Sequence, residues 1–161
     1  MRIWIRCGPV VTASLLASCA TVRPPAPPVP RAAPIEVAAS FGKTWDAVID
    51  ELTSRNIPIK TVDRSSGLIA TDPLTVASDI GDVADCGSDI LAIKLVPTDA
   101  TYNVLVRGDS TRSTVRVNVR WVRVGVARGL STETVAEECS TKATWETAME
   151  QRIKVAAEAK R

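Results

Sequence analysis

Residues 24–34 contain six prolines in eleven positions, and this run divides the chain into two parts with different tasks. Proline lacks a backbone N–H and fixes φ, so such a run forms neither helix nor sheet and favours extended polyproline II. At about 3.1 Å per residue, it predicts a semi-rigid spacer of about 30 Å. Residues 35–161 remain to fold, and their number predicts a single domain.

The segment before the spacer has the layout of a secretory signal. Residues 1–6 carry two positive charges, on Arg2 and Arg6, and an apolar stretch follows over residues 7–17. This stretch is too short to span a bilayer as a helix. The stretch ends in Leu16-Ala17-Ser18-Cys19, which resembles the lipobox of bacterial lipoproteins. The resemblance implies that residues 1–18 are removed and that Cys19 is the lipidated first residue of the mature chain. The alternative is an ordinary secretory signal with an unrelated cysteine.

The lipoprotein resemblance also implies a compartment and a first partner. Acyl chains on Cys19 would anchor the protein to a membrane, with residues 19–34 as the lipidated N-terminus and tether. Ala20 follows the cysteine, whereas an Asp there tends to retain such proteins in the inner membrane. The sequence therefore predicts an outer-membrane lipoprotein that faces the periplasm.

Charge and composition argue against several classes of function. The whole chain has 20 Lys and Arg against 18 Asp and Glu, and loss of Arg2 and Arg6 with the signal leaves 18 against 18. A neutral chain gives no reason to expect a nucleic-acid partner. The sequence has no histidine, which removes the usual general base and the commonest zinc ligand. We therefore predict a protein that is not an enzyme and that has no cofactor or metal.

Hydrophobic periodicity predicts an α+β fold. Ile35-Glu36-Val37 is predicted as a strand, and Ser40 is predicted to cap a helix that ends near Arg55. One face of this helix carries Phe41, Trp45, Val48, Ile49 and Leu52. A final helix is predicted from about Thr141. Its buried stripe is predicted to be Trp145, Ala148, Met149, Ile153 and Ala156.

Between the helices, alternating apolar residues predict a meander of strands. The predicted strands cover residues 57–63, 68–71, 90–96, 102–107 and 114–124, with residues 130–136 as a further candidate. Pro97-Thr98-Asp99 is predicted to end one strand, and residues 73–89 are predicted to form a long loop. The order β-α-β-β-β-β-β-α favours an antiparallel, curled sheet of about five or six strands with both helices on one face, a helix-grip-like arrangement.

The strand at residues 114–124 supplies the candidate binding residues. Its apolar side chains alternate with Arg116, Asn118 and Arg120, which are predicted to face away from the core. A change of parity near Trp121-Val122 predicts a bulge. The arginines at 107, 112, 116, 120 and 123 would make one side of the sheet basic. This side is either a solvated face or a docking surface for an acidic partner or lipid head groups.

The cysteines predict a disulfide. Cys7 lies in the predicted signal and Cys19 takes lipid, which leaves Cys86 and Cys139 in a compartment where disulfides form. Their bond would pin the Asp-rich loop to the start of the last helix. Two free thiols or a metal pair are the alternatives, although two cysteines without further ligands make a poor zinc site.

Residues 41–71 carry a second resemblance. The run Trp45-Asp46-Ala47-Val48-Ile49, followed by Ile57-Pro58-Ile59 and Asp63-Arg64-Ser65-Ser66-Gly67-Leu68-Ile69, resembles the BamC (NlpB/DapX) lipoproteins. It covers about 30 residues and implies a helix packed on a curled antiparallel sheet. That family is a non-catalytic accessory of the machinery that folds outer-membrane β-barrels. This chain departs from it in its single predicted domain, short tether and cysteine pair.

Three functions are consistent with these observations. The first is a protein-binding or scaffolding lipoprotein of the cell envelope, with an accessory role in outer-membrane protein assembly as its most specific form. The second is a carrier of lipid or another small molecule in the cleft between helix and sheet. The third, an enzyme, has no nameable set of acid, base and nucleophile to support it.

Overall fold

The computed structural model describes residue 27 and residues 34–76, 80–87, 93–127 and 133–159. The predicted signal, Cys19 and all of the tether except residues 27 and 34 lie outside the described residues. Within these described ranges there are two helices, α1 (Phe41–Ser54) and α2 (Thr144–Ala159). The strands are β1 (Ile35–Val37), β2 (Ile59–Asp63), β3 (Leu68–Thr71), β4 (Leu74–Val76), β5 (Ala84–Asp85), β6 (Ile93–Gly108), β7 (Ser113–Ala127) and β8 (Glu133–Thr141).

The strands form one antiparallel sheet around the long β6–β7 hairpin. Its order is β2-β3-β6-β7-β8-β5, with β4 added beside β6 and β1 added beside β7. The core lies between the helices and one face of this sheet, where Leu52 of α1 and Ile153 of α2 are buried with Val104 and Val117. The predicted α+β fold, with an antiparallel sheet and two helices, is confirmed.

Local sequence determines both ends of α1. The Ser40 hydroxyl accepts a hydrogen bond from the Lys43 N–H at 3.4 Å, as predicted for an N-cap. At the other end, Asn56 has φ 54°, and the N–H groups of Asn56 and Ile57 donate to the carbonyls of Thr53 and Leu52. This is the Schellman arrangement, in which a left-handed residue stops the helix.

The strand predictions need three corrections. The two strands predicted at 90–96 and 102–107 are one strand, because β6 continues through Pro97. The pairing register between β6 and β7 shifts between Leu95 and Thr98, so the proline sits at a bulge where a missing N–H costs no ladder bond. The loop predicted over 73–89 contains β4 and β5. The last strand, β8, extends to Thr141, and α2 begins at Thr144.

The bulge predicted in β7 at Trp121-Val122 is also wrong, because β7 keeps its alternation there. Val115, Val117 and Val119 are buried, and so are Trp121 and Arg123, so the inward-facing parity continues to Arg123. The extra residue is on β6, opposite this part of β7. The alternation of apolar residues is interrupted there because Arg123, a charged residue, occupies a core-facing position.

The helix α2 presents a different stripe from the predicted one. Met149 and Ile153 are buried as predicted, but Ala157 replaces Ala156, and Ala148 is exposed. Trp145 is only partly buried. Two carboxylate residues, Glu146 and Glu150, complete the buried face. Polar residues therefore occupy core-facing positions that a search for apolar spacing passes over.

Glu150 is buried because α2 fills a gap along one edge of β7. The strand β1 pairs with residues 113–115 of β7 and β8 pairs with residues 121–127. Between them, the N–H of Val117 donates to Oε1 of Glu150 at 2.8 Å. A helix side chain thus takes the place of a strand in satisfying a buried backbone donor.

Candidate functional site

The structure contains the predicted disulfide between Cys86 and Cys139. The sulfurs are 2.02 Å apart and join residues 53 positions apart in the sequence. Cys139 lies in β8, opposite Trp121 of β7, rather than at the first turn of α2. The bond therefore attaches the segment of residues 80–87 to the sheet.

Hydrogen bonds hold the same segment in place. The N–H of Lys142 donates to the Val83 carbonyl at 2.8 Å, and the Thr144 hydroxyl donates to the Asp82 carbonyl at 2.9 Å. The Arg123 guanidinium donates to the Cys86 carbonyl at 3.2 Å and to the Glu137 carboxylate at 2.6 Å. This part of the predicted long loop is therefore docked against β8 and α2.

The three predicted binding residues lie together on the sheet face that points away from the helices. Their cross-strand partners on β6 are Leu105 for Arg116, Asn103 for Asn118 and Thr101 for Arg120. Asn118 and Arg120 are exposed, and Arg116 is partly buried. Arg120 forms an ion pair with Glu138 of β8 at 3.2 Å, with both side chains well exposed. We define these three residues as the outer-face patch.

The proposed basic side of the sheet holds for only part of the arginine set. Arg123 faces the core, where it is 8% exposed and paired with Glu137. Arg112 lies in the turn between β6 and β7 rather than on a strand. The outer face therefore keeps only the arginines at 107, 116 and 120.

A cleft of about 430 Å³ lies where β1, the β6–β7 turn and α2 meet. Its lining includes Glu36 of β1, Arg107 at the end of β6, Arg112 and Lys154 of α2. Its volume lies within the range typical of small-ligand sites. We call it the β1 cleft. It is at the end of the sheet and not in the space between helix and sheet that the carrier hypothesis requires.

A carboxylate holds the β6–β7 turn beside the β1 cleft. Oδ1 of Asp109 accepts hydrogen bonds from the N–H of Thr111 at 2.6 Å and the N–H of Arg112 at 3.0 Å. These backbone bonds, with a bond from the Thr111 hydroxyl, lower the pKa of Asp109 to about 2. Gly108 precedes it with φ 151°, a conformation that favours glycine.

The β2–β3 turn beside it is built in the same way. Oδ1 of Asp63 accepts bonds from the Ser65 hydroxyl at 2.6 Å and from the N–H groups of Ser65 and Ser66 at 3.0 and 3.1 Å. The Ser65 and Ser66 hydrogen bonds lower the pKa of Asp63 to about 2. Gly67 follows with φ 66°. The Arg107 guanidinium donates to the Ser66 carbonyl and so links the two turns.

A second charged cluster joins the two helices. Oε1 of Glu51 lies 2.6 Å from Arg55 and 2.7 Å from Arg152, and both guanidinium groups lie over the Trp145 ring. Burial acts to raise the pKa of Glu51, but the hydrogen bonds from Arg152 and Arg55 outweigh it and lower the pKa. A carboxylate held ionised between two arginines is suited to fixing α1 against α2, not to accepting a substrate proton.

Within the described ranges, no three cysteine, aspartate or glutamate side chains are grouped so that they could hold a metal ion. A comparison with protein-family models finds no match for the chain, and a search of curated protein sequences also finds none.

The sequence predicted the disulfide and the outer-face patch but not the β1 cleft. The cleft residues come from four separate segments, and no local spacing connects Glu36 with Lys154. One signal was present in the sequence: Arg107 and Arg112 stand on either side of a predicted turn. A turn of this length brings its flanking side chains to the same end of a hairpin.

Proposed function

We propose that the protein is a lipid-anchored lipoprotein of the cell envelope whose head is a non-catalytic module for binding another envelope protein. The observation that carries this proposal is the Cys86–Cys139 disulfide. Disulfides of this kind form and persist in oxidising compartments such as the periplasm and are rare in the cytosol. An exported head agrees with the secretory layout of residues 1–18 and with the lipobox ending at Cys19.

The proposed anchor is lipid on Cys19, and the proposed location is the periplasmic side of the outer membrane. Each buried CH₂ group of an acyl chain contributes about 0.8 kcal/mol, so two or three chains give stable attachment. Within the part of the chain that the structure describes, no helix has the length and apolar character needed to cross a membrane.

The proposed partner surface is the outer-face patch. It combines Arg116 and Arg120 with the amide of Asn118 on β7, a strand that is paired on both sides, and arginine is enriched at protein interfaces. Both side chains of the Arg120–Glu138 ion pair are exposed. A carboxylate of the partner can therefore replace Glu138 beside Arg120 at little cost in free energy. The BamC resemblance makes the outer-membrane assembly machinery the first place to search for the partner.

Intact mass spectrometry of the protein purified from membranes tests the anchor and the compartment. We expect loss of residues 1–18, the added mass of acyl groups on Cys19, and no alkylation of Cys86 or Cys139 without reductant. The C19A variant is expected to keep its signal and to carry no lipid. A wild-type mass that retains residues 1–18 and lacks fatty acid contradicts the proposal.

Photo-crosslinking in intact cells tests the partner surface. A photoreactive residue at position 118 or 120 is expected to give the same adduct with one envelope protein, and R116E is expected to weaken it. Position 155 on α2, where Val155 is 66% exposed, serves as the control. Equal capture from position 155, or no reproducible adduct from positions 118 and 120, contradicts a docking role for the patch.

The carrier hypothesis remains a second prediction from the sequence. It requires space between the helices and the sheet, a region where Trp45, Val48 and Leu52 pack with Met149 and Ile153, each at most 4% exposed. Native mass spectrometry of the lipidated protein tests it. A bound lipid or other small molecule that survives transfer to the gas phase would favour the carrier over the protein-binding module.

A further inference from the structure

Two polar side chains of the core each have one atom without a hydrogen-bond partner. Glu146 is fully buried and Trp121 is 2% exposed. Among the residues that the structure describes, none bonds to Oε2 of Glu146 or to Nε1 of Trp121. Nε1 of Trp145 and Nη2 of Arg152 are also buried and unpartnered, but their residues belong to the charged cluster that joins the two helices. A buried polar atom costs free energy unless it is hydrogen-bonded, so the Glu146 acceptor and the Trp121 donor point to a bound ligand.

The contacts of α2 place Glu146 over the part of β7 that carries Trp121. Glu150 accepts the Val117 N–H, and one turn later Lys154 donates to a carbonyl of β1, which pairs with the start of β7. The helix therefore runs antiparallel to β7. Four helical residues advance about 6 Å, which roughly two residues of a strand also cover. Glu146 is one turn before Glu150, so it lies about two residues past Val117, next to the position of Trp121.

The register of β8 gives the same position independently. Trp121 pairs with Cys139, and paired residues share a face of the sheet. Thr141 lies two residues farther along β8 on that face, and its hydroxyl donates to Oε1 of Glu146 at 2.7 Å. This bond holds the Glu146 carboxylate over the inner face of the sheet, beside Trp121.

The chemistry of the two unpartnered atoms selects the kind of ligand. A cation would bind the Glu146 oxygen but leave the Trp121 N–H without an acceptor, and an anion would be repelled by the carboxylate. A hydroxyl group both donates and accepts, and water is the smallest molecule that offers one. Buried waters make about three hydrogen bonds, typically to polar groups that the protein leaves unpaired.

We infer that one ordered water molecule is bound inside the head, where it accepts a hydrogen bond from Nε1 of Trp121 and donates one to Oε2 of Glu146. The water connects α2 to β7, because the two side chains form no direct hydrogen bond. Glu150 makes the corresponding connection one turn later without a water, through the Val117 N–H. The inference does not depend on the proposed anchor or partner, because it uses only residues of the folded core.

Water-selective NMR of the full-length protein, labelled with ¹⁵N at tryptophan and held in detergent micelles, tests the inference. The Trp121 indole N–H is expected to show a cross-peak to water whose sign differs between NOESY and ROESY spectra, as a long-lived bound water gives. Proton exchange with solvent gives the same sign in both spectra. Trp45 is the internal control and is expected to give no such signal, because it is 4% exposed and its Nε1 is not one of the buried unpartnered atoms.

Two variants decide whether Glu146 holds the water. E146M removes the acceptor and keeps the length of the side chain, so the Trp121 cross-peak to water is expected to be lost. E138M makes the same substitution on β8, at a side chain that is 62% exposed and paired with Arg120 on the outer face. E138M is expected to keep the cross-peak of the wild type.

Three results overturn the inference: no cross-peak of opposite sign at Trp121 in the wild type, an unchanged cross-peak in E146M, or its loss in E138M as well. A crystal structure of the wild type decides the question if E146M does not fold. Density for a water oxygen within about 3.2 Å of both Nε1 of Trp121 and Oε2 of Glu146 supports the site. A direct contact between the two side chains, or no solvent density between them, rejects it.

Discussion

Replacement of Glu150 tests whether a helix carboxylate stabilises the sheet in place of a strand. The residue is 6% exposed and its Oε1 accepts the Val117 N–H at 2.8 Å. E150A leaves that buried N–H without its acceptor, whereas E150Q keeps a carbonyl oxygen at the same position and removes the charge. The two variants therefore separate loss of the acceptor from loss of the charge.

The expected loss of stability in each variant follows from the energetics of buried hydrogen bonds. A bond to a charged group contributes about 1.5–3 kcal/mol, and an unsatisfied buried donor costs about 1–3 kcal/mol. We expect E150A to lower the free energy of unfolding by about 3 kcal/mol and E150Q to lower it by about 1 kcal/mol. For a domain of this size, 1 kcal/mol corresponds to roughly 4 °C in melting temperature.

Urea unfolding and thermal melts of the oxidised protein provide the measurement. Q151A, at the next residue of the same helix and exposed, controls for the change in helix propensity. It is expected to change stability by less than about 0.5 kcal/mol. If E150A costs no more than Q151A, or if E150Q costs as much as E150A, Glu150 does not act as an acceptor for the sheet.

Three further predictions concern the disulfide and the two hairpin turns. The disulfide joins residues 53 positions apart, and its reduction is expected to lower the free energy of unfolding by about 4 kcal/mol. Urea titrations with and without reductant measure this difference, and a change below about 1 kcal/mol would contradict the prediction. Gly67 has φ 66°, and G67A would place a Cβ against the Val106 carbonyl oxygen. The variant is therefore expected to lower the free energy of unfolding by more than about 2 kcal/mol in the same assay. A neutral effect would show that the turn can relax. Asp63 and Asp109 have pKa values of about 2 in the folded protein against an ordinary 3.8, so their contribution to stability is present above pH 4 and is lost as the pH falls toward 2. Thermal melts across this range should show a smaller pH dependence in the double variant D63N/D109N than in the wild type, and parallel curves would refute the assignment.

Local signals explain which elements could be predicted from the sequence. The helix α1 was predicted from Ser40 to about Arg55, because its cap and its apolar spacing lie within one short segment. The inward alternation of Val115 to Trp121 was predicted for the same reason. The strand β6 was divided in two because Pro97 normally ends a strand, and only its position at a bulge shows why it does not.

Contacts between distant segments explain the errors. Arg123 faces the core because Glu137, on the next strand, is 2.6 Å away, and no spacing within β7 carries that information. The inward orientation of Glu150 depends on a gap in sheet pairing near Val117. The β1 cleft could not be predicted for the same reason, because Glu36 and Lys154 meet only after β1 and α2 have packed.

Turn chemistry also explains part of the resemblance over residues 41–71. Asp63 accepts three hydrogen bonds from the two serines after it, and Gly67 adopts a left-handed conformation. The same acid-led turn occurs at Asp109. There the glycine, Gly108, precedes the acid instead of following it by four residues. The acid of such a turn is thus favoured by the hydrogen bonds that it accepts locally, so its presence in the motif reflects turn geometry and does not by itself indicate a common family.

The entry point of the chain determines how mechanical load from the tether would reach the head. The first strand, β1, has three residues and pairs, among the described strands, with β7 alone, through Ser113 to Val115. Tension applied before Ile35 would pull β1 along β7 and also strain the attachments of Ala38 and Glu36 to α2. Because β7 belongs to the longest hairpin, such a pull would be distributed over the central strands, and detachment of β1 would be the first mechanical event.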